Sequence, residues 1–210
     1  MALKITLLTF PGFTANCYFV FDEETKESFL VDPGAYGKRH SEYIKSQGIE
    51  KLSYILLTHG HFDHIMGVSQ FKEDLGGQIV IHEKDADCLS SPLKSLAITQ
   101  GLMLQKTQAD ITVKDGDTLS FAGGEIEVIH TPGHTKGCVC YKLGELLFTG
   151  DTLFRGTVGR TDFPGGSYSE LSESMKKLKA LEGDYKVYPG HEELTTLENE
   201  RRNNPHMEGK

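Results

Sequence analysis

The alternation of apolar and polar positions in the first half of the chain predicts a mixed α/β fold. Short apolar runs that end in turn residues predict strands, and longer runs with an apolar residue every three or four positions predict helices. The predicted strands of this half span residues 4–10, 16–22, 28–34, 52–58 and 78–82. Two helices are predicted between them, over residues 37–48 and 64–77.

The second half is richer in strands, which follow one another at the spacing of hairpins. Strands are predicted over residues 118–124, 125–134, 137–144, 145–151 and 185–191. A helix is predicted from about Ser167 to Leu181, and a polar helix closes the chain. Over residues 83–110, the pattern predicts one or two short helices and a loop. Because no low-complexity linker divides the chain, we expect residues 1–210 to form a single domain.

Composition and charge exclude several classes of partner. The 210 residues carry a net charge of −8 and no block of Lys and Arg, which argues against a nucleic-acid or anionic-membrane surface. No apolar stretch approaches the roughly 18 residues that a membrane helix needs. The N-terminal segment is interpreted as a strand and not as a signal peptide. The four cysteines are too few for a disulfide framework, and we expect reduced, buried thiols and a cytoplasmic location.

Four of the predicted strands run out into loops that carry a His or an Asp. These places are "LLTHGH", "VIHTPGH", "LLFTGD" and "VYPGH". In α/β folds, ligand sites lie beyond the carboxyl ends of strands, where loops project polar groups from a rigid sheet. We therefore expect these side chains to converge. The set is His59, His61, Asp63, His64, His134, Asp151 and His191.

Neutral imidazoles and carboxylates are ligands that suit zinc, iron and manganese. Seven such groups exceed the four or so that one zinc takes, but they suffice for two metals if one carboxylate bridges them. An isolated histidine is usually structural. Here, however, five of the nine histidines stand at strand ends, and a metal site is favoured. The other four, His40, His82, His130 and His206, are interpreted as structural.

The motifs "THGHFDH", "TPGHTKG", "FTGDTLF" and "YPGH" resemble the metal motifs of the metallo-β-lactamase superfamily, in order and over nearly the whole chain. The segment "GRTDFPGG" and the closing "YPGHEELTTLENERRNNP" are similar to those of small bacterial hydroxyacylglutathione hydrolases, the glyoxalase II group. The resemblance implies a four-layer αββα sandwich with mixed sheets and two metals at one edge. It assigns His59, His61 and His134 to the first metal, Asp63, His64 and His191 to the second, and Asp151 to both.

The resemblance also implies a reaction, the hydrolysis of a 2-hydroxyacyl thioester such as lactoylglutathione. Two divalent metals, zinc first and iron or manganese as alternatives, would share a hydroxide that attacks the carbonyl. The expected catalytic residues are Asp151, which bridges the metals, and Asp63, which also orients the hydroxide. Only 19 residues follow His191, whereas the full-length enzymes carry a helical extension that holds part of the thiol. We therefore expect a reduced thiol subsite, or one completed by a homodimer.

Three residues are predicted to contact the small-molecule thioester. Arg160 in the Gly-rich loop suits a substrate carboxylate, although pairing with Asp162 is an equal alternative. Phe163 and Tyr168 are candidates to line the pocket. Two other activities stay open. A mono-iron persulfide dioxygenase of the same superfamily also resembles this chain at "GRTDF", and a lactonase or β-lactamase shares the metal centre.

Overall fold

The computed structural model describes residues 1–207, which form two packed six-stranded sheets with helices on their outer faces. The strands are β1 (Leu3–Leu8), β2 (Cys17–Asp22), β3 (Ser28–Val31), β4 (Tyr54–Leu56), β5 (Gln78–His82), β6 (Ile111–Val113), β7 (Thr118–Phe121), β8 (Gly124–His130), β9 (Val139–Leu143), β10 (Leu146–Gly150), β11 (Leu153–Phe154), β12 (Thr157–Val158), β13 (Lys186–Pro189) and β14 (Thr195–Thr196). The helices are α1 (Lys38–Ser46), α2 (Phe62–Ile65), α3 (Val68–Leu75), α4 (Tyr168–Lys179) and α5 (Leu197–Asn203).

The first sheet has the strand order β1-β2-β3-β4-β5-β6. Its first three strands are antiparallel neighbours joined by short turns, and β3 to β6 run parallel. Parallel neighbours need crossover connections, which α1 supplies between β3 and β4, and α2 and α3 between β4 and β5.

The second sheet has the order β14-β13-β10-β9-β8-β7. Strands β7 to β10 form successive antiparallel hairpins, while β13 pairs parallel with β10 after the crossover through α4. Strands β8, β10 and β13 therefore point the same way, and their carboxyl ends lie at one edge of the sandwich. β11 and β12 form a separate small hairpin beside that edge.

Strand periodicity explains the layering, since alternate residues of β2 and β3 face opposite sides. Phe19 and Leu30 pack with Ile44 of α1 and Phe71 of α3 in the outer core of the first sheet. Tyr18, Val20, Phe29 and Val31 pack instead with Phe121, Val128, Tyr141 and Phe148 of the second sheet. The far face of the second sheet, including Cys140 and Leu147, packs against Met175 and Leu178 of α4. The αββα sandwich is thereby confirmed.

The predicted helix 64–77 is in fact two helices, which separate at Met66 and Gly67. The Gly67 amide donates to the Pro33 carbonyl at 2.8 Å, and a Cβ on Gly67 would approach the Ala35 carbonyl group to 2.3 Å. The turn after β3 thus packs directly against Gly67, where it takes the amide that a continuous helix would use and leaves no room for a side chain. The sequence pattern does not predict strand β6 or the β11–β12 hairpin either, because strands of two or three residues leave little periodicity.

Residues 83–110 contain two short 3₁₀ helices, Ala86–Leu89 and Ala97–Gln100, within irregular chain, as the sequence pattern predicts. The polar helix predicted at the end is α5, and a 3₁₀ turn, Pro205–Met207, follows it. Within residues 1–207, every helix is too short or too polar to cross a membrane.

Candidate metal centre

The seven strand-end side chains come together at one edge of the sandwich. They are carried by the loops that follow β4, β8, β10 and β13. The Val139 amide donates to the Thr58 carbonyl at 2.9 Å, which joins the end of β4 in the first sheet to the start of β9 in the second. The site therefore lies where the two sheets meet.

Three buried imidazoles form one half of the site, the first triad: His59, His61 and His134. Each offers a ring nitrogen, and these three atoms lie within 4.8 Å of one another. His61 Nδ1 and His134 Nε2 are 2.9 Å apart. Ring nitrogens that face one another this closely point to a common centre.

The other half, the second triad, consists of Asp63, His64 and His191. His191 Nε2 lies 3.3 Å from Asp63 Oδ2 and 3.3 Å from His64 Nε2. His64 is fully buried, but the side chains of Asp63 and His191 are each 22% exposed. The second triad is therefore the half that faces solvent.

Asp151 lies between the two triads. Its Oδ1 is 3.4 Å from His64 Nε2, and its Oδ2 is 3.5 Å from both His134 Nε2 and His191 Nε2. One carboxylate thus reaches ligand atoms of both halves, which is the geometry that a bridging ligand requires.

Three of the imidazoles are oriented by hydrogen bonds at the nitrogen that faces away from the centre. His59 Nδ1 lies 3.2 Å from Thr58 Oγ1, His64 Nδ1 lies 3.0 Å from Asp32 Oδ2, and His134 Nδ1 donates to the Arg160 carbonyl at 2.7 Å. A proton held at Nδ1 leaves the Nε2 lone pair free to bind a metal.

Asp32 supports this arrangement, although the strand-end motifs of the sequence do not single it out. It is buried, accepts from the Thr58 amide at 2.8 Å and hydroxyl at 2.6 Å, and stands at a positive φ of 50° at the end of β3. Its position just after a strand, like that of Asp151, is the signal that could have identified it. Asp32 also forms a possible metal group with His59 and His64, but its oxygens already have these partners.

Two buried atoms test whether the residues fit metal ions. His59 Nε2 and Asp151 Oδ1 have no hydrogen-bond partner among the described residues. A buried polar atom without a partner costs about 1–3 kcal/mol. Coordination would satisfy both atoms, and a set of imidazoles and carboxylates suits zinc, iron or manganese. The donor set therefore fits a metal centre.

The electrostatics of the two triads differ. Burial lowers the pKa of His61 to about 3 and that of His59 well below its usual value, and neighbouring imidazoles add to both shifts. These rings are neutral, as metal ligands must be. Burial also opposes charge on Asp63 and His64. Even so, His64 and His191 keep the pKa of Asp63 low, and Asp151, Asp63 and Asp32 raise the pKa of His64 to about 10.

A cleft of about 550 Å³ opens over ligands of both triads. Phe62, Leu96, Phe154 and Phe163 supply apolar wall, and Thr14, Arg160 and Glu192 add polar groups. His61 and His134 of the first triad line the same cleft, together with Asp63, Asp151 and His191. A small molecule with a largely apolar body can therefore reach the proposed metal ligands.

The predicted substrate contacts have different positions. Arg160 and Phe163 line the cleft, and the guanidinium carbon of Arg160 lies 3.9 Å from the centre of the Phe163 ring. Arg160 also pairs with Asp162 through two hydrogen bonds, of 2.7 and 2.6 Å. Tyr168 does not line the cleft. As the first residue of α4, it is 62% exposed and its ring faces His206.

Comparison with known proteins agrees with this geometry. The sequence profile of the metallo-beta-lactamase superfamily matches residues 10–191. Hydroxyacylglutathione hydrolase GloC of Haemophilus influenzae is 34% identical, and the match covers 99% of this chain and 100% of that protein.

Two solved structures are also similar. The BLEG-1 B3 metallo-beta-lactamase has a TM-score of 0.90 at 29% identity, with 98% of this chain and 100% of that chain covered. TTHA1623, solved in a di-iron-bound form, has a TM-score of 0.82 at 32% identity, with 95% and 98% covered.

Proposed function

This chain belongs to the metallo-beta-lactamase superfamily, and from that premise we propose that it is a dinuclear thioester hydrolase. Its proposed substrates are 2-hydroxyacyl thioesters of a small thiol, with lactoylglutathione as the first candidate. The observation that carries the proposal is the position of Asp151, which contacts both triads. A shared ligand is what two metals need if they are to act on one substrate carbonyl.

The proposed cofactor is a pair of divalent ions, zinc first, with iron or manganese as alternatives. The first triad would hold one ion, the second triad the other, and Asp151 both. Bound there, the ions would supply a nucleophilic hydroxide at neutral pH and positive charge beside the substrate carbonyl. The di-iron form of TTHA1623 supports the choice of a two-metal site and keeps iron as an alternative.

The side chains have separate roles in this reaction. Asp63, which lines the cleft, would orient the attacking oxygen in addition to binding metal. Phe62, Phe154 and Phe163 pack against the acyl and thiol parts and exclude water from them. The thiolate leaves without much help from a general acid, because a thiol is already a fair leaving group.

Arg160 is proposed to bind a carboxylate of the thiol. Its guanidinium is paired with Asp162, so an anionic substrate must compete with that carboxylate. This competition predicts weak binding of the thiol part and therefore a high KM. The name of the Haemophilus influenzae relative, hydroxyacylglutathione hydrolase, supports glutathione as the first thiol to test.

A second candidate is the mono-iron persulfide dioxygenase, which would need only two imidazoles and one carboxylate. One observation keeps it in view: TTHA1623, which is 32% identical, was solved in a di-iron-bound form, so a related protein binds iron. A lactonase or β-lactamase is the third, and the similarity to the BLEG-1 B3 metallo-beta-lactamase supports including a β-lactam in any test.

Elemental analysis and a substrate panel separate these candidates. We expect two metals per chain, and turnover of lactoyl thioesters that exceeds turnover of a lactone, a β-lactam or glutathione persulfide. One iron per chain, with oxygen uptake on the persulfide and no thioester hydrolysis, would overturn the proposal in favour of the dioxygenase.

We further propose that residues 1–210 act as one hydrolase domain. Its proposed location is the cytoplasm, where thiols stay reduced. A homodimer would add surface to the thiol side of the cleft. Sedimentation of the purified protein tests this part, and a monomer with full activity would exclude it.

A further inference from the structure

Asp85 is a buried carboxylate that lies outside the seven proposed ligands. It follows β5 in the turn that begins the irregular segment, and only 4% of it is exposed. The Asp85 amide donates to the His82 carbonyl at 3.0 Å, and its carbonyl accepts from the Cys88 amide at 2.9 Å. The main chain of Asp85 is therefore anchored to the end of the first sheet.

The side chain of Asp85 accepts three hydrogen bonds, all from the loops that carry the first triad. The Gly60 amide donates to Oδ2 at 3.0 Å, the Thr135 hydroxyl to Oδ2 at 2.7 Å, and the Gly137 amide to Oδ1 at 2.9 Å. Gly60 stands between His59 and His61, and Thr135 follows His134 directly. One carboxylate thus joins two loops that are far apart in sequence.

Glycine is required where these loops approach Asp85. A Cβ on Gly137 would lie 2.5 Å from the Asp85 carboxyl carbon, and one on Gly60 would lie 2.4 Å from Cys88 Cβ. Both distances are shorter than atoms of this kind allow. The backbones of the two ligand loops therefore pack directly on the Asp85 turn, so that a shift of this turn moves both loops.

The hydrogen bonds identify the charge state that this arrangement uses. All three partners are donors, and an ionised carboxylate can accept from all of them. Burial raises the pKa of Asp85 above its ordinary value, and the bonds from Thr135, Gly60 and Gly137 oppose the rise. An amide at this position would place an NH₂ group against a donor and leave both unsatisfied.

We propose that Asp85 is a positioning residue that sets the spacing of the two first-triad loops, and so controls metal affinity at the first triad selectively over the second. The inference rests on the proposed metal centre. It is independent of the substrate, because it concerns only how the chain holds His59, His61 and His134.

The test measures zinc binding in two single-site backgrounds. His191→Ala removes a ligand of the second triad and His61→Ala removes one of the first, so each background reports mainly on one half. Asp85→Asn is then added to each, and the dissociation constant for Zn²⁺ is measured by competition with a chromophoric chelator. Loss of a group that orients a metal ligand typically weakens binding about 10- to 100-fold. We expect that loss in the His191→Ala background and less than about twofold in the His61→Ala background.

Asp22 offers a matched control within the same chain. Its side chain is also little exposed to solvent and accepts three hydrogen bonds, from the Ala2 amide at 2.6 Å, the Thr25 amide at 2.9 Å and the Thr25 hydroxyl at 3.0 Å. Ala2 precedes β1 and Thr25 lies in the turn between β2 and β3, at the end of the first sheet away from the ligand loops. Asp22→Asn should leave zinc affinity within about twofold in both backgrounds.

A milder pair of variants keeps the test decisive if Asp85→Asn fails to fold. Thr135→Val removes one donor to Asp85, and Thr25→Val removes the equivalent donor to Asp22. Only Thr135→Val should weaken zinc binding in the His191→Ala background. Equal losses in both backgrounds, or none, would overturn the selective role of Asp85. A wild-type protein that binds no zinc, iron or manganese would overturn the proposed function and this inference together.

Discussion

The two triads are built from similar ligands but are supported in different ways. The first triad is buried, and its loops are joined through the backbone by Asp85. In the second triad, two of the three ligands are partly exposed to the cleft, and Asp32 bonds to the ring of His64 itself. Ligands of both triads line the cleft, so the contrast concerns burial and support, and the first triad is the more enclosed half.

The loop of His191 shows the same contrast. It is held from the first sheet by side chains at the start of β2: Asn16 Nδ2 donates to the Pro189 carbonyl at 3.0 Å, and the Tyr18 hydroxyl donates to the same carbonyl at 2.7 Å. Both contacts stop short of the imidazole. The ring of His134, in contrast, is bonded directly, because its Nδ1 donates to the Arg160 carbonyl.

The largest effect is expected where the two halves share a ligand. Asp151→Ala removes the carboxylate that contacts both triads, so metal content and activity should fall together. We expect kcat to drop on the order of 100- to 1000-fold, as when a group that stabilises transition-state charge is lost. Elemental analysis and lactoylglutathione turnover check this, and a variant that kept two metals and full turnover would exclude the bridging role.

Asp32→Asn tests the support of the second triad. The substitution replaces an acceptor of His64 Nδ1 and of Thr58, so zinc affinity should fall about 10- to 100-fold in the His61→Ala background. A smaller loss is expected in the His191→Ala background, because Asp32 reaches His59 only through Thr58. Equal losses of zinc affinity in the two backgrounds would show that Asp32 supports both triads alike.

The ligand loops could be predicted from the sequence because each is a local pattern, an apolar strand followed by His or Asp. The residues that hold these loops in place could not be predicted in this way. Asp85 lies in the segment with the least regular pattern, and its partners at Gly60 and Thr135 are brought near it only by the packing of the two sheets. The break at Gly67 has the same origin, since the carbonyl that excludes a side chain there belongs to Ala35.

Arg160 has two separate roles. Its carbonyl orients His134 of the first triad, and its side chain lines the cleft. Arg160→Ala keeps the carbonyl, so zinc content should not change. KM for lactoylglutathione should rise with kcat preserved, because a contact made equally in the ground and transition states is lost. The bond to Asp162 reduces the expected rise, because binding already includes the cost of breaking it.

Arg155 is a suitable control for Arg160. It is also exposed and paired with a carboxylate, Glu193, but it does not line the cleft. Arg155→Ala should leave KM unchanged. If both variants raised KM alike, overall charge would explain the effect and Arg160 would not be a substrate contact.

The smallest expected effect is on stability at acid pH, and it concerns the support of the first triad only. Burial, with the stacked ring of His130 and with Lys84, lowers the pKa of His82 to about 4. The folded pKa lies below the unfolded value of about 6.5, so this contribution to stability is complete above pH 6.5 and is lost as the pH falls toward 4. His82 holds the Asp85 turn through its carbonyl, whereas the hydrogen bonds of the Asp32 carboxylate come from Thr58 and His64.

His82→Asn removes the titrating group but keeps a side-chain acceptor for the Lys84 amide, which donates to His82 Nδ1 at 3.2 Å. Urea unfolding of the metal-free protein should show a shallower loss of stability between pH 6.5 and 4 in this variant than in the wild type. His206→Asn, near the end of the described chain, serves as the control. Parallel curves for all three proteins would contradict the role of His82.

The turn between β9 and β10 lies at the end of the second sheet opposite the ligand loops, and it can accept an insertion. Gly144 follows β9 at a positive φ of 56°, and a Cβ there would meet nothing within 4 Å. The chain reverses at this point into β10, whose other end carries Asp151. An affinity tag or fluorophore inserted between Gly144 and Glu145 would therefore sit a full strand length from the metal centre. A protein tagged in this way could be immobilised or labelled with its cleft still open to substrate.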